Sequence, residues 1–156
     1  MSGKICTIND LKVKLDSKRA INTIVFTNGC FDILHPGHIL YLEEAKALGD
    51  ILIVGLNEDD SVSRLKGPDR PINAFEDRAI MLAGLSSVDL VVGFSQDTPQ
   101  ELIEKVCPDI LVKGGDYKLD EIVGREFVES QGGQVQIIPF KAGYSTSSFI
   151  EKIKNL

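Results

Sequence analysis

Residues 51–56 (ILIVGL) run without a single polar side chain. A strand with one solvated face alternates apolar and polar residues, so a run without alternation needs cover on both faces. Residues 90–94 (LVVGF) and 110–112 (ILV) repeat the pattern, and residues 23–27 (TIVFT) and 135–140 (VQIIPF) read as further strands. The segments between them carry helix punctuation. Thr7 with Asp10 makes a short capping box, and Asn73 with Glu76 marks a second start. Thr98, Pro99 and Glu101 supply an N-cap, a proline at the first helical position and a capping partner. Residues 120–131 read as a helix stopped by Gly132-Gly133, and Ser145 or Thr146 starts a last helix with Lys152 and Lys154 near its carboxyl end. This alternation predicts an α/β fold: a doubly wound parallel sheet of about five strands with helices on both faces. The 156 residues fit one domain, 1–156, with an N-terminal helix over about 7–20 and a core from about 23 to 156. No linker, low-complexity tract or internal repeat is seen.

The net charge of −6 argues against broad binding of nucleic acid or anionic membrane, which needs a basic face. A small anionic ligand stays open, because local groups decide that. The sequence opens with no apolar stretch and its longest apolar run is far below the ~20 residues that span a bilayer, so neither a secretory signal nor a membrane segment is expected. Cys6, Cys30 and Cys107 are odd in number, scattered and without a CxxC pair. A disulfide framework or zinc knuckle is therefore not expected, and a reducing cytoplasm is the natural setting.

Both histidines of the chain fall in residues 28–45, NGCFDILHPGHILYLEEA, just after the first predicted strand. Gly29 permits close approach to the main chain where that strand ends. Pro36 suits a first helical turn, and Gly37 leaves room for something bulky beside it. A helix amino terminus presents unpaired N–H groups and about half a positive charge, which suits an anion. His35 and His38, one turn apart, can present imidazole donors to that anion. A zinc site would need further ligands, and only isolated carboxylates such as Asp32 lie nearby. The plain alternative is that His35 caps the helix and His38 packs in a core.

Residues 29–38, GCFDILHPGH, resemble the HxGH signature of the nucleotidyltransferase superfamily, which includes cytidylyltransferases and adenylyltransferases. LKGPDRPI (65–72), EDRAIML (76–82), VDLVV (88–92), PDILVKGGDY (108–117) and GYSTSSFI (143–150) follow in the order of one subgroup. That subgroup is similar to the domain that makes ADP-heptose from D-glycero-β-D-manno-heptose 1-phosphate, and the match extends from about Thr23 onward. In many bacteria this domain is fused to a kinase; with no room for one in 156 residues, the stand-alone form is expected.

The resemblance implies a Rossmann-like nucleotidyltransferase fold in which His35, His38 and Lys66 act on the phosphates. It also implies a nucleotide site that includes Thr27, Asn28, Gly29, Cys30, Phe31, Gly37, Arg70, Arg78, Gly114, Asp116, Tyr117, Ser145, Thr146 and Ser147. Many relatives carry Thr or Ser at the position of Cys30, which leaves Thr27 or main-chain N–H groups to make that contact. Each residue has an ordinary use as well: a solvated loop for Lys66 and Arg70, a surface salt bridge for Arg78, a turn for residues 113–117, and helix capping for 145–148. No third group forms a nucleophilic set with Cys30, so it is taken as packing.

The implied reaction moves AMP from ATP to a sugar 1-phosphate. The acceptor oxygen is already anionic, so no general base is needed; proximity and electrostatics suffice. Magnesium is expected with ATP, held by phosphate oxygens without a dedicated protein cage. Rival readings are a cytidylyltransferase acting on glycerol 3-phosphate or a similar alcohol phosphate, and a non-catalytic nucleotide-binding module. Relatives are often dimers, so a homodimer is expected.

Overall fold

A computed structural model describes residues 3–139 and 143–156. Its centre is a wholly parallel sheet of six strands among the described residues: β1 (Ile5–Cys6), β2 (Ile24–Gly29), β3 (Ile51–Asn57), β4 (Leu90–Phe94), β5 (Ile110–Gly114) and β6 (Gln134–Ile138), in the order β1-β4-β3-β2-β5-β6. The sixth strand is the difference from the sequence reading. β1 is two residues long and pairs at the edge with β4, too short a segment to carry a pattern of its own. The expected end of the last strand at Phe140 lies outside the described residues.

β3 is buried at all seven positions, which accounts for its unbroken apolar run. One face of the sheet is covered by α2 (Pro36–Lys46) and α4 (Phe75–Ala83), whose Tyr41, Leu42, Ala79 and Leu82 pack with Val25, Val54 and Val112. The other face is covered by α1 (Ile8–Asp16), α5 (Gln100–Val106) and α6 (Arg125–Ser130), where Leu11, Leu102, Ile103 and Val128 meet Phe26, Ile53 and Leu111. Two further helices, α3 (Asp59–Lys66) and α7 (Thr146–Lys154), complete the chain.

Capping signals were followed unevenly. Thr7 and Asp10 form the reciprocal box at the start of α1. Asn73 does not cap α4, which starts after Ala74 without a side-chain cap, because the Asn73 side chain is drawn to the carbonyl of Asp32. Pro99 sits at the N-cap of α5, one position before the expected one. The helix expected over 120–131 is two pieces, a 3₁₀ turn at Leu119–Glu121 and then α6, parted at Gly124 with φ 88°.

The order of the strands reverses at β2. The chain leaves it toward β3 on one side and returns to β5 on the other. Crevices for ligands in such sheets lie beyond the carboxyl ends of the strands at this reversal, and the histidine-bearing segment starts there.

Candidate functional site

β2 ends at Gly29, and the chain turns back to begin α2 at Pro36 with His35 as its N-cap. The turn relies on Phe31, which holds φ 44° although non-glycine residues rarely enter that region. Its buried ring folds against Gly29, where a Cβ would lie 2.9 Å from the ring. The same ring stands edge-on to His38 at 5.2 Å. Phe31, expected near the nucleotide, thus acts through His38 by fixing where its imidazole lies.

His35 and His38 stack with centroids 3.7 Å apart and planes 18° from parallel. Phe149 of α7 lies parallel to His35 at 5.9 Å, and Tyr144 at 6.3 Å. Burial pushes His38 down to about 4, with the neighbouring His35 adding to the effect, and burial also lowers His35. Both shifts favour the neutral ring, and among the described residues each Nδ1 is buried without a hydrogen-bond partner. Buried polar atoms are normally paired, so two unpaired ring nitrogens side by side at a helix start mark a candidate binding point. His35 is the N-cap yet makes no side-chain cap bond, which removes the plain capping explanation.

Other expected residues are committed to the fold. The Thr27 hydroxyl is fully buried and shares a 2.6 Å hydrogen bond with the Tyr41 hydroxyl, so it does not replace the hydroxyl missing at Cys30. Arg78, expected at the nucleotide, is fully buried. It donates from Nε to the Asn73 carbonyl, from Nη1 to the carbonyls of Cys30 and Asn57, and from Nη2 to Asp59. It knots together the loops after β2 and β3, which is a positioning role. The Cys30 thiol is pushed up by burial, against the pull of Lys66, Arg78 and Arg70, and stays protonated packing material.

Asp32 had no assigned role in the sequence reading beyond being an isolated carboxylate. It is buried and accepts from Arg70 Nε at 2.5 Å and from the N–H groups of Ile72 and Asn73 at 2.9 Å. Burial alone would raise its carboxyl; the N–H groups of Asn73 and Ile72, with Arg70, outweigh that and hold it below the usual carboxylate range. Asp32 therefore anchors the loop that carries Arg70. Lys66 is the exposed last residue of α3, not a turn residue, and its charge reaches the Cys30 thiol beside Arg70's. Both cations stand near the β2 tip.

At the end of β5, Gly114 pairs with Ile138, and Gly115, with φ 114°, donates its N–H to the Ile138 carbonyl. Asp116 and Tyr117 follow as exposed residues. At α7, the Ser145 hydroxyl accepts the Ser148 N–H in a cap, while Thr146 and Ser147 make no side-chain hydrogen bond among the described residues. A Cβ on Gly37 would lie 2.9 Å from that of Tyr144, so the starts of α2 and α7 meet with no room for a side chain between them. One residue escaped the sequence reading. Lys113 reaches across from β5 to Asn28 Oδ1 at 2.7 Å, and burial pushes its ammonium down to about 8. A lysine inside an otherwise apolar strand was the available signal.

Among the described residues no cluster of three His, Cys, Asp or Glu side chains is placed to hold a metal, and Asp32 is saturated by its own donors.

The fold defines an α/β domain whose candidate ligand crevice lies at the carboxyl ends of its strands, where the two histidines sit. The cytidylyltransferase-like family model matches residues 26–152, and the chain belongs to that family. It is 53% identical over 152 residues to the bifunctional protein HldE of Pseudomonas fluorescens (strain SBW25), covering 97% of this chain and 32% of that protein. It is 62% identical over 133 residues to HldE of Haemophilus influenzae (strain PittEE), covering 85% and 28%. The chain thus spans about a third of the length of these relatives. A solved lipopolysaccharide core biosynthesis protein from Thermoplasma volcanium GSS1 superposes with a TM-score of 0.63 at 33% identity, covering 77% of this chain and 97% of that one. Pantoate-beta-alanine ligase from Francisella tularensis shares the fold at TM-score 0.62 and 16% identity, covering 97% and 72%.

Proposed function

We propose that the chain transfers AMP from ATP to D-glycero-β-D-manno-heptose 1-phosphate, giving ADP-heptose and pyrophosphate. The observation that carries the phosphate-handling part is the stacked pair of imidazoles at the start of α2, each with its Nδ1 buried and unpaired among the described residues. The acceptor is supported by the order of the later motifs, by the identity to HldE proteins, and by the likeness to the lipopolysaccharide core biosynthesis protein of Thermoplasma volcanium.

An acceptor phosphate oxygen attacks the α-phosphorus in line; the bond to the bridging oxygen breaks, and its electron pair leaves with pyrophosphate. His35 and His38 start neutral, so they act first as N–H donors, and a bound polyanion raises their proton affinity. Lys66, at the end of α3, and Arg70, on the loop that Asp32 anchors, add positive charge. The amino termini of α2 and α7 contribute N–H groups. Magnesium held by the triphosphate oxygens would offset their charge. The reading includes a cytoplasmic setting and a homodimer, which sedimentation would test.

The test is pyrophosphate release with magnesium, crossing ATP and CTP against heptose 1-phosphate and glycerol 3-phosphate. Release with ATP and heptose 1-phosphate alone is expected. Release with CTP and glycerol 3-phosphate would keep the chemistry and overturn the substrates. Silence in every pairing, from folded protein that binds nucleotide, would favour a binding module.

A further inference from the structure

Side chains alternate between the two faces of a strand. Thr27 turns toward α2, where it meets Tyr41, so Asn28 falls on the opposite face with Phe26. Likewise Val112 packs on the α2 side and Leu111 on the other, which puts Lys113 on the same face as Asn28. Their hydrogen bond therefore crosses from β5 to β2 where the strand order reverses, on the side of the β2 tip away from the histidines.

Lys113 is only partly exposed, and its one hydrogen-bond partner among the described residues is a neutral carboxamide. No carboxylate forms an ion pair with it among those residues. An ammonium has three donors, and a partly buried cation without a counter-ion is costly unless an anion completes it. Burial has already weakened its hold on the proton, and a phosphate would restore it.

We infer that Lys113, oriented by Asn28, binds the phosphate of the acceptor on the face of the β2 tip opposite the His35–His38 pair. This rests on the adenylyl-transfer reading. In-line displacement requires the entering and leaving oxygens on opposite sides of the α-phosphorus. Histidines on one side and Lys113 on the other meet that demand: the imidazoles face the departing pyrophosphate and the ammonium holds the incoming phosphomonoester. Lys113 makes no covalent bond and transfers no proton.

The experiment is steady-state kinetics of Lys113→Met with ATP and acceptor varied separately, backed by thermal melting. The acceptor KM is expected to rise by about tenfold or more while the ATP KM stays within about twofold. Melting should not fall, because an uncompensated cation is removed. Lys113→Arg, which keeps the charge, should lie between wild type and Lys113→Met. If Lys113→Met does not fold, Asn28→Ala should still raise the acceptor KM selectively. An unchanged acceptor KM, or an equal rise in the ATP KM, overturns the assignment. If the wild type releases no pyrophosphate with any acceptor, adenylyl transfer falls, and inorganic phosphate is titrated onto the complex with a non-hydrolysable ATP analogue. Phosphate binding lost in Lys113→Met then sustains the anion site; equal affinity in both proteins, or none in either, overturns it.

Discussion

At the amino ends of β2 and β3, three aspartates close the open N–H groups. Asp50 accepts from Thr23, Asp109 from Ile24, and Asp89 from Leu52 while also pairing with Lys46. At the carboxyl end of β2 the polar groups behave differently. Among the described residues the Nδ1 atoms of His35 and His38 have no partner, and Lys113 has a neutral one. One edge of the sheet is internally satisfied and the other leaves polar groups for a ligand. Saturated groups stabilise a fold, and unsaturated ones, which cost stability, are retained where a ligand completes them. Arg78 and Asp32 lie near the open edge yet have the saturated chemistry of the closed one.

The largest effect that would break this comparison concerns Arg78. Arg78→Met should lose about 3–5 kcal/mol of unfolding free energy, because three main-chain carbonyls and Asp59 lose their donor. Denaturant unfolding measures this, and a near-normal midpoint would return Arg78 to the ligand site. His38→Ala should cost about 3–4 kcal/mol of transition-state stabilisation, roughly 10²–10³ in turnover, with the fold intact. Near-normal pyrophosphate release would remove the imidazoles from the phosphate role. Asp109→Ala, at the closed edge, should show the reverse: about 1–3 kcal/mol less stability by denaturant unfolding, with turnover unaffected.

The pH dependence sharpens the comparison further. The folded state holds His38 at about 4 against an ordinary 6.5, so the unfolded chain binds the proton first as pH falls. Stability is then full above pH 6.5 and declines through the window from 6.5 to about 4. Asp32 is held below its ordinary 3.8, so its contribution is lost only at lower pH. Melting of His38→Gln followed from pH 7 to pH 5 should be flatter than that of the wild type; parallel curves would show that the imidazole is already charged. The smallest effect belongs to the surface. Arg64 is exposed between Asp60 and Asp97, and Arg64→Ala should leave the denaturant midpoint essentially unchanged.

Much of the fold was readable because its signals are local. Unbroken apolar runs gave the buried strands, and Pro36-Gly37 marked a helix start that the structure has at that position. α3 was missed because only Ser61 and Val62 are buried in it, so DDSVSRLK carries no apolar stripe. In the site, the position of the histidines could be read from spacing, whereas their stacking and neutral state depend on Phe31 and α7 packing around them. Arg78, Thr27 and Asn73 differ from expectation for one reason: their partners lie far away in sequence, at Cys30, Tyr41 and Asp32. Lys113 was overlooked for the same reason, since only the pairing of β2 with β5 brings Asn28 within reach.

Where Gly37 meets Tyr144, two helices begin almost face to face, held by Phe149 and Tyr144 against His35. Each start carries about half a positive charge, so like poles are pressed together by apolar packing. An anion lying across the mouths of both helices, as the proposed function requires, would turn that repulsion into attraction for both at once. On the proposed function the nucleotide would be a structural member as well as a reactant, and the protein should tighten on loading and loosen each time its products depart.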